Sequence, residues 1–471
     1  MLLSLVRAEG GDGDDALLGG VDGDLDRPAA DRAVLEVALG GPAASVDPDG
    51  NGLSAVRTGD LLFHARYCNR VPEFLAVYQE VVEALDAGKL ARAAAGRAPQ
   101  PGPGGRQLVL GLGKVASELC AGVQAAGGAI AAGAIAAGAI LVVPRDAPSP
   151  PGAQVLYGGH PLPDQGSLRA GEALLAAARS LTPNDSVLLL ISGGGSALAE
   201  APHPDLSLDD VRAVNLALLN SGAPIEEMNC VRAHLSRLKG GGLARALHAA
   251  GVTRVRALVA VDVPIGGVAA VSSGPAAADR TTCADALALV RKYALPEAAT
   301  RVRETLKAGD PADFVEHEAL CDLRSPALEA ARRGFTLLDS PVRGTVEAFA
   351  EKLAGLRGAW AASGELEVRI PAGAPPGGRD QHLALHMARK LRGAQATFLA
   401  AGTDGRDGPT GSAGAHVDGA TWDQAVRRGL DPERALLEFD AARVLSALGL
   451  LIPERHTGAH AGDLFLLRRL G

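Results

Sequence analysis

Apolar residues recur at helical spacing over residues 73–95, and a Pro/Gly linker follows at 99–105. Beyond it the chain alternates short continuous apolar runs with amphipathic stretches. The runs 108–112, 140–143, 187–191 and 257–261 predict strands, and 168–180 and 208–220 carry helical patterns. Continuous apolar strands separated by helices predict a mainly parallel sheet covered on both faces. A second α/β block begins near residue 335, where 365–370 alternates like a half-buried strand, 381–391 predicts a helix and 397–401 another strand. Residues 125–143 are almost all Ala, Gly and Ile up to Pro144. Their length permits a membrane span, but Ala and Gly contribute little transfer energy, so the stretch reads as a buried helix running into a strand.

Composition narrows this picture. Of 471 residues, 47% are hydrophobic but only 3% aromatic, so the core must be aliphatic. The net charge is −8 and no long Lys/Arg block occurs, which argues against a nucleic-acid or anionic-membrane surface. Cys68, Cys120, Cys230, Cys283 and Cys321 are widely spaced without CxxC pairs, which suits a reducing, cytoplasmic setting and offers no metal framework. The apolar start, residues 1–6, is too short for the core of a signal peptide. Residues 1–60 read as an acidic, Gly-rich, flexible tail. Asp47, Asp49, Asn51 and Gly52 imitate half an EF-hand loop, but Thr58 stands where a bidentate Glu is required. GGDGDDALL at 10–18 fits a single calcium-binding nonapeptide, and one such turn buries nothing.

Ligands in open α/β sheets bind beyond the carboxyl ends of the strands, which directs attention to four loops. Gly111-Leu112-Gly113-Lys114 follows the first strand: glycines admit a ligand to the backbone and Lys114 adds a charge, although a structural turn reads the same way. Ser192-Gly193-Gly194-Gly195-Ser196 can expose successive N–H groups as an anion nest. Asn229, Arg232, His234, Arg237 and Lys239 concentrate polar and positive groups ahead of a glycine run, as an anion site or as a solvated helix face. In the second block, Arg379 suits a carboxylate or phosphate, and Asp404 and Asp407 in a Gly-rich loop suit Mg²⁺ or a positioned water, though Asp-Gly pairs are also ordinary turn formers. Anion sites and carboxylates without a nucleophile–base pair fit phosphoryl transfer.

The motifs GLGKVASEL (111–119), GGHPLPDQGS (158–167), LLLISGGGSAL (188–198), SGAPIEEMNCVRAHLSRLKGG (221–241), SSGPAAADRTTCADAL (272–287), GGRDQ (377–381) and AAGTDGRDGPTGSAGAHVDG (400–419) occur in an order that resembles the glycerate 2-kinase family, some of whose members carry the name hydroxypyruvate reductase. The resemblance runs from about residue 106 to the C-terminus. It implies an α/β chain with a Rossmann-like parallel-sheet domain over 61–335, a smaller C-terminal α/β domain over 336–471, and a site in the cleft between them. It further implies ATP and Mg²⁺, with D-glycerate phosphorylated at its 2-hydroxyl. Carried over by position, Lys114 neutralises charge, Arg379 grips the glycerate carboxylate or the transferring phosphate, and Ser192, Gly193, Gly194, Gly195, Ser196 and Lys239 cradle nucleotide phosphates. Asn229 and Arg232 contact substrate, Asp404 or Asp407 orients metal or hydroxyl, and Asp262 joins Asp407 as a metal ligand. The expected partners are small molecules only, with a homodimer left open.

The chain departs from the family pattern in four places. Asp262-Val263-Pro264 is followed by Ile265-Gly266-Gly267 rather than acids, Ala233 replaces a Lys, Asp380 and His382 replace an amide and an acid, and the closing Thr-Gly-Thr-Asn reads Thr457-Gly458-Ala459-His460. Asp380 next to Arg379 is an expected competitor for that guanidinium. Alternatives are a catalytically degenerate binder, a nicotinamide-dependent reductase, and a calcium-binding adhesive module built on the tail. The reductase would want a third glycine where Ala116 stands.

Overall fold

The computed structural model describes residues 44–46, 53–55, 71–127, 138–371 and 373–470, in two compact units, Met1–Asn69 and Arg70–Gly471. In the first unit Ala44–Val46 pairs antiparallel with Leu53–Ala55. The tail and its calcium-loop imitations otherwise lie outside the described residues, as does the middle of the Ala/Gly-rich stretch.

The second unit opens with α1 (Val71–Ala84) and α2 (Ala87–Ala94), where the periodicity predicts one helix. The break comes at Asp86, whose side chain accepts the Lys89 N–H at 2.7 Å and starts a new helix. Six parallel strands then form the first sheet: β1 (Gln107–Leu112), β2 (Ala139–Val143), β3 (Ala153–Tyr157), β4 (Ser186–Ile191), β5 (Arg254–Ala260) and β6 (Glu316–Cys321). Their spatial order is β3-β2-β1-β4-β5-β6, the doubly wound arrangement, and every residue of β1 and β4 is buried. Alternate side chains serve opposite faces. Leu108, Leu110 and Leu189 pack under α4 (Gln165–Arg179) and α7 (Gly242–Ala249), which follows α5 (Leu208–Asn220) and α6 (Ile225–His234), while Val109, Leu188 and Leu190 join a core with α1, α2 and α3 (Ala116–Ala125).

The second sheet is mixed, with strands β7 (Thr336–Leu337), β8 (Gly358–Gly364), β9 (Ala396–Gly402), β10 (Ser412–Asp418), β11 (Leu451–Pro453) and β12 (Asp463–Arg469) in the order β11-β10-β9-β12-β8-β7. One face, with Phe398, Ala400 and Phe465, packs on α8 (Val346–Ala354) and α9 (Arg379–Lys390). The other, with Leu399, Leu464 and Leu466, enters the same core as Phe74 and Tyr78 of α1 and Val109 of the first sheet. Helix α1 is thus the apolar mortar between the sheets, and its Tyr78 hydroxyl donates to the Gly402 carbonyl at 2.7 Å.

Residues 365–370 do not form the strand that their alternation predicts; only Glu367 makes an isolated bridge, to Thr345. The strand is β8, just upstream. It ends at Gly364, where a Cβ would stand 2.3 Å from the Val342 carbonyl oxygen, a crossing only glycine permits.

Candidate active site

The strand order reverses between β1 and β4, and the loops leaving both strands meet there. Gly113 N–H donates to the Val142 carbonyl, Lys114 N–H to that of Gly193 at 2.9 Å, and Val115 N–H to Ser192 Oγ at 3.1 Å. Gly113 sits at φ 125° with Ser192 directly above it; a Cβ would lie 2.3 Å from the Ser192 carbonyl oxygen. The two glycine loops are therefore knitted into one floor. Gly194, at φ 83°, turns the second loop in the conformation from which anion nests are built. Lys114 covers it, with Cγ 3.1 Å and the His160 Cδ2 3.4 Å from where a Gly194 Cβ would be.

Ser272 and Ser273 brace this floor from behind. Both are non-glycine residues at positive φ, 54° and 57°, a strain that surrounding bonds must hold. Ser272 Oγ donates to the Ser192 carbonyl at 2.7 Å; Ser196 and Ser273 share a hydroxyl contact of 2.7 Å, and Ser273 Oγ donates to Asn229 Oδ1 at 2.8 Å. Arg232 is held through Nε by Asn215 Oδ1 at 2.6 Å. Burial works against its charge, partly offset by Glu200.

Asp262, just past β5, packs on Gly193 so closely that a Cβ there would overlap its Oδ2 at 1.5 Å. The same Oδ2 meets His460 Nε2 at 3.0 Å. Burial alone would raise the Asp262 pKa, but the His460 hydrogen bond and charge, with Lys114 behind them, bring it below the usual carboxylate value. Burial likewise opposes a charged His460, and Asp262 outweighs it, so the pKa is raised. Asp262 Oδ1 is buried with no hydrogen-bond partner among the described residues. The neighbouring His160 is driven towards its neutral form by burial, then by Lys114, His460 and Arg232.

His460 reaches this site from the loop between β11 and β12. Its backbone is laced to the β9–β10 loop: Ala461 N–H donates to Thr403 Oγ1 at 2.9 Å and Thr457 Oγ1 donates to the Thr403 carbonyl at 2.6 Å. Gly458 accepts the Ala87 N–H at 2.9 Å, and His456 contacts Glu118 at 2.8 Å. One loop thus spans both sheets.

The second cluster lies at the start of α9. Arg379 holds Asp463 through Nε at 2.6 Å and Nη2 at 3.0 Å, and Nη2 also meets Glu365 at 3.0 Å. Its partners are these two acids, not the adjacent Asp380 that the sequence suggests. Nη1 donates to nothing among the described residues. Asp407 accepts the Asp380 and Gln381 N–H groups, one on each oxygen, at 3.2 and 2.8 Å. It thereby caps a helix whose own N-cap, Gly378, has no side chain to do so. Asp380 Oδ2 is buried without a partner among the described residues, and burial followed by the Asp463 and Asp407 charges raises its pKa well above the usual range. Burial also raises Asp463, to about 7 despite Arg379. Three buried aspartates around one guanidinium leave a surplus of negative charge that a proton or cation must balance. Asp404 follows Thr403 in the same β9–β10 loop, where its Oδ1 accepts the Arg406 N–H at 3.0 Å.

Lys114, Gly193, Gly194, Gly195, Ser192, Ser196, Asn229, Arg232 and Asp262 therefore gather at the strand-order reversal, with Asp404 adjoining. Lys239 is already engaged: it is 2% exposed and ion-paired with the equally buried Glu200. Sequence reasoning missed His160, His460 and the serine pair Ser272–Ser273. His160 and the serines lie inside the family-like motifs, while His460 occupies one of the departures from them.

Comparisons with known proteins agree with this architecture. A family model described as "Domain of unknown function (DUF4147)" matches residues 73–307, and one described as "MOFRL family" matches 358–463. A protein of Agrobacterium vitis, whose provisional name is hydroxypyruvate reductase, is 35% identical over 389 residues, covering 77% of this chain and 87% of its own length. The D-glycerate 2-kinase of Thermotoga maritima is 35% identical over 335 residues, 66% of this chain and 79% of that protein. The crystal structure of glycerate kinase from Thermotoga maritima superimposes with a TM-score of 0.74 at 28% identity, covering 84% of this chain and 98% of the other. Fold, motif order and relatives together assign this chain to the glycerate kinase family.

Proposed function

We propose that this protein transfers a phosphoryl group from ATP to the 2-hydroxyl of D-glycerate, giving 2-phosphoglycerate and ADP. The observation that carries this reading is the convergence, where the strand order reverses, of the Ser192–Ser196 glycine loop, Lys114 and the Asp262–His460 pair. Phosphoryl transfer needs positioned charge more than covalent chemistry, and these groups supply it. Backbone N–H groups around Gly194 face the polyphosphate, Lys114 offsets the charge that builds on the transferred group, and Asn229 and Arg232 border the acceptor. The free Nη1 of Arg379 grips the glycerate carboxylate while Asp463 and Glu365 fix the guanidinium plane. Asp404 orients the 2-hydroxyl; Asp407 is less suited because both its oxygens cap α9.

The residues fit a divalent cation. Asp262 Oδ1 is a buried carboxylate oxygen with no hydrogen-bond partner among the described residues, the donor type Mg²⁺ prefers. Asp262 would hold Mg²⁺, which when bound neutralises polyphosphate charge. The remaining expectations join this reading: small-molecule partners, a cytoplasmic setting suited to free Cys120, Cys230, Cys283 and Cys321, and a boundary near residue 335 between two domains. No helix among the described residues is long and apolar enough to cross a membrane.

A coupled assay tests the reading. ADP release that depends on both D-glycerate and Mg²⁺ supports it. NADH oxidation with hydroxypyruvate, in the absence of ADP release, would assign the chain to the reductase chemistry instead.

A further inference from the structure

Outside the catalytic clusters, His382 and His386 stand one turn apart on α9, and Glu347 faces them from the first turn of α8. The two Nε2 atoms are 3.3 Å apart, and Glu347 Oε1 lies 3.8 Å from His382 Nε2 and 3.9 Å from His386 Nε2. We propose that Glu347, His382 and His386 bind a divalent transition-metal ion of the Zn²⁺ class, clasping α8 to α9.

The spacing argues for it first. Ligands about 2.0–2.1 Å from a tetrahedral ion stand roughly 3.3 Å from one another, so three donors at 3.3, 3.8 and 3.9 Å need only small side-chain rotations to close. Two imidazoles and one carboxylate form a donor set that favours Zn²⁺, Co²⁺ or Ni²⁺ over Mg²⁺ or Ca²⁺. The set is also pre-shaped. The His382 ring stacks on Phe439, with centroids 4.9 Å apart and planes 12° apart, which fixes its orientation. The imidazole side chains are 5% and 10% exposed while Glu347 is 54% exposed, so the pair forms a buried floor with a carboxylate gate, leaving a water to complete the shell.

Electrostatics permit it. Burial, then proximity to His382, lowers His386 to about 4, and burial lowers His382, so both rings are neutral with lone pairs available at neutral pH. The nearby cations are engaged elsewhere, Arg389 with Glu433 at 2.8 Å and Lys390 with Glu351. By contrast, the other His/Cys/Glu grouping, His234 with Cys283 and Glu304, has Lys307 Nζ 2.6 Å from Glu304, a cation already seated on one donor. The position also matters: α9 begins with Arg379, Asp380 and Gln381, so an ion here would stiffen the helix that presents the second catalytic cluster.

The test uses the full chain stripped with EDTA and titrated with ZnCl₂ by calorimetry, alongside CoCl₂ followed by visible absorption. The expected result is one equivalent of Zn²⁺ and intense four-coordinate Co²⁺ bands. Both should be lost, or weakened at least about tenfold, in His386→Ala. Glu347→Gln, at an exposed carboxylate, provides the same reading if His386→Ala fails to fold. Zn²⁺ affinity unchanged in both variants, or abolished by His234→Ala instead, would overturn the proposal.

Discussion

The imidazole of His460 meets the carboxylate of Asp262 at 3.0 Å, joining a loop of the second sheet to the end of a first-sheet strand. Since the same loop is bonded to Thr403 and Ala87, this contact ties the two candidate-site clusters together. Asp262→Asn should keep the fold and lower kcat by about 10²–10³, the scale for losing one positioned electrostatic group. His460→Asn, which retains a donor, should stay nearer wild type than His460→Ala. Steady-state kinetics on the three variants check this ranking.

The pair also sets a pH window. His460 has its pKa raised above 6.5, so its contribution is complete below that value and fades as pH rises through the folded pKa. Asp262 is depressed below 3.8, so its contribution is present above that value and lost as pH falls through the folded pKa. Thermal melts should therefore show wild type losing more stability than His460→Ala as pH is raised from 6.5 towards alkaline values. Parallel curves would remove the pair from the stability account.

Gly193 exists to make room for Asp262. A methyl group at that position would overlap Oδ2 at 1.5 Å, and the loop cannot retreat while Lys114 N–H is bonded to the Gly193 carbonyl. Gly193→Ala should displace Asp262 and lower kcat about as much as Asp262→Asn. A double variant should then be little worse than either single change, the non-additivity expected of residues acting as a unit.

The proposed function gives Arg379 two tasks, pairing buried acids and gripping the substrate carboxylate. With Asp463 only 3% exposed, Arg379→Ala leaves buried carboxylates unpaired and should cost about 3–5 kcal/mol of stability, read from urea unfolding. Arg379→Lys keeps the charge but loses the planar fork, and should raise the KM for D-glycerate more than it lowers kcat.

Lys239 should behave as a structural residue. Lys239→Met should destabilise by about 3–5 kcal/mol because it strands buried Glu200, and pairing it with Glu200→Gln should recover much of that loss. An unchanged KM for ATP in whichever variant folds would keep Lys239 out of the nucleotide site.

Much of this was legible along the chain. The runs that became β1, β2, β4, β5 and β9 are continuous and apolar because both faces of their strands are covered, and the glycine loops follow them directly. β3 and β6 escaped notice because edge strands bury less and carry Gln154, Glu316 and Glu318. The arrangement of the candidate site was half legible. Lys114, the Ser192–Ser196 loop and Asp262 announce themselves by following strands. His460 does not, because its role depends on a loop that folds back almost two hundred residues away in sequence. Asp407 reads as a metal ligand in sequence, and the structure places both its oxygens on N–H groups of α9, a contact that an Asp-Gly loop does not disclose. Lys239 reads as a phosphate ligand in sequence, which does not disclose its ion pair with buried Glu200.

Phosphorus NMR of the products from ATP, Mg²⁺ and D-glycerate tests the central claim most directly. The account predicts ADP and the phosphomonoester resonance of 2-phosphoglycerate, both absent in Asp262→Asn over the same interval. ATP that binds but yields no phosphate ester, or a product esterified at the 3-position, would contradict it.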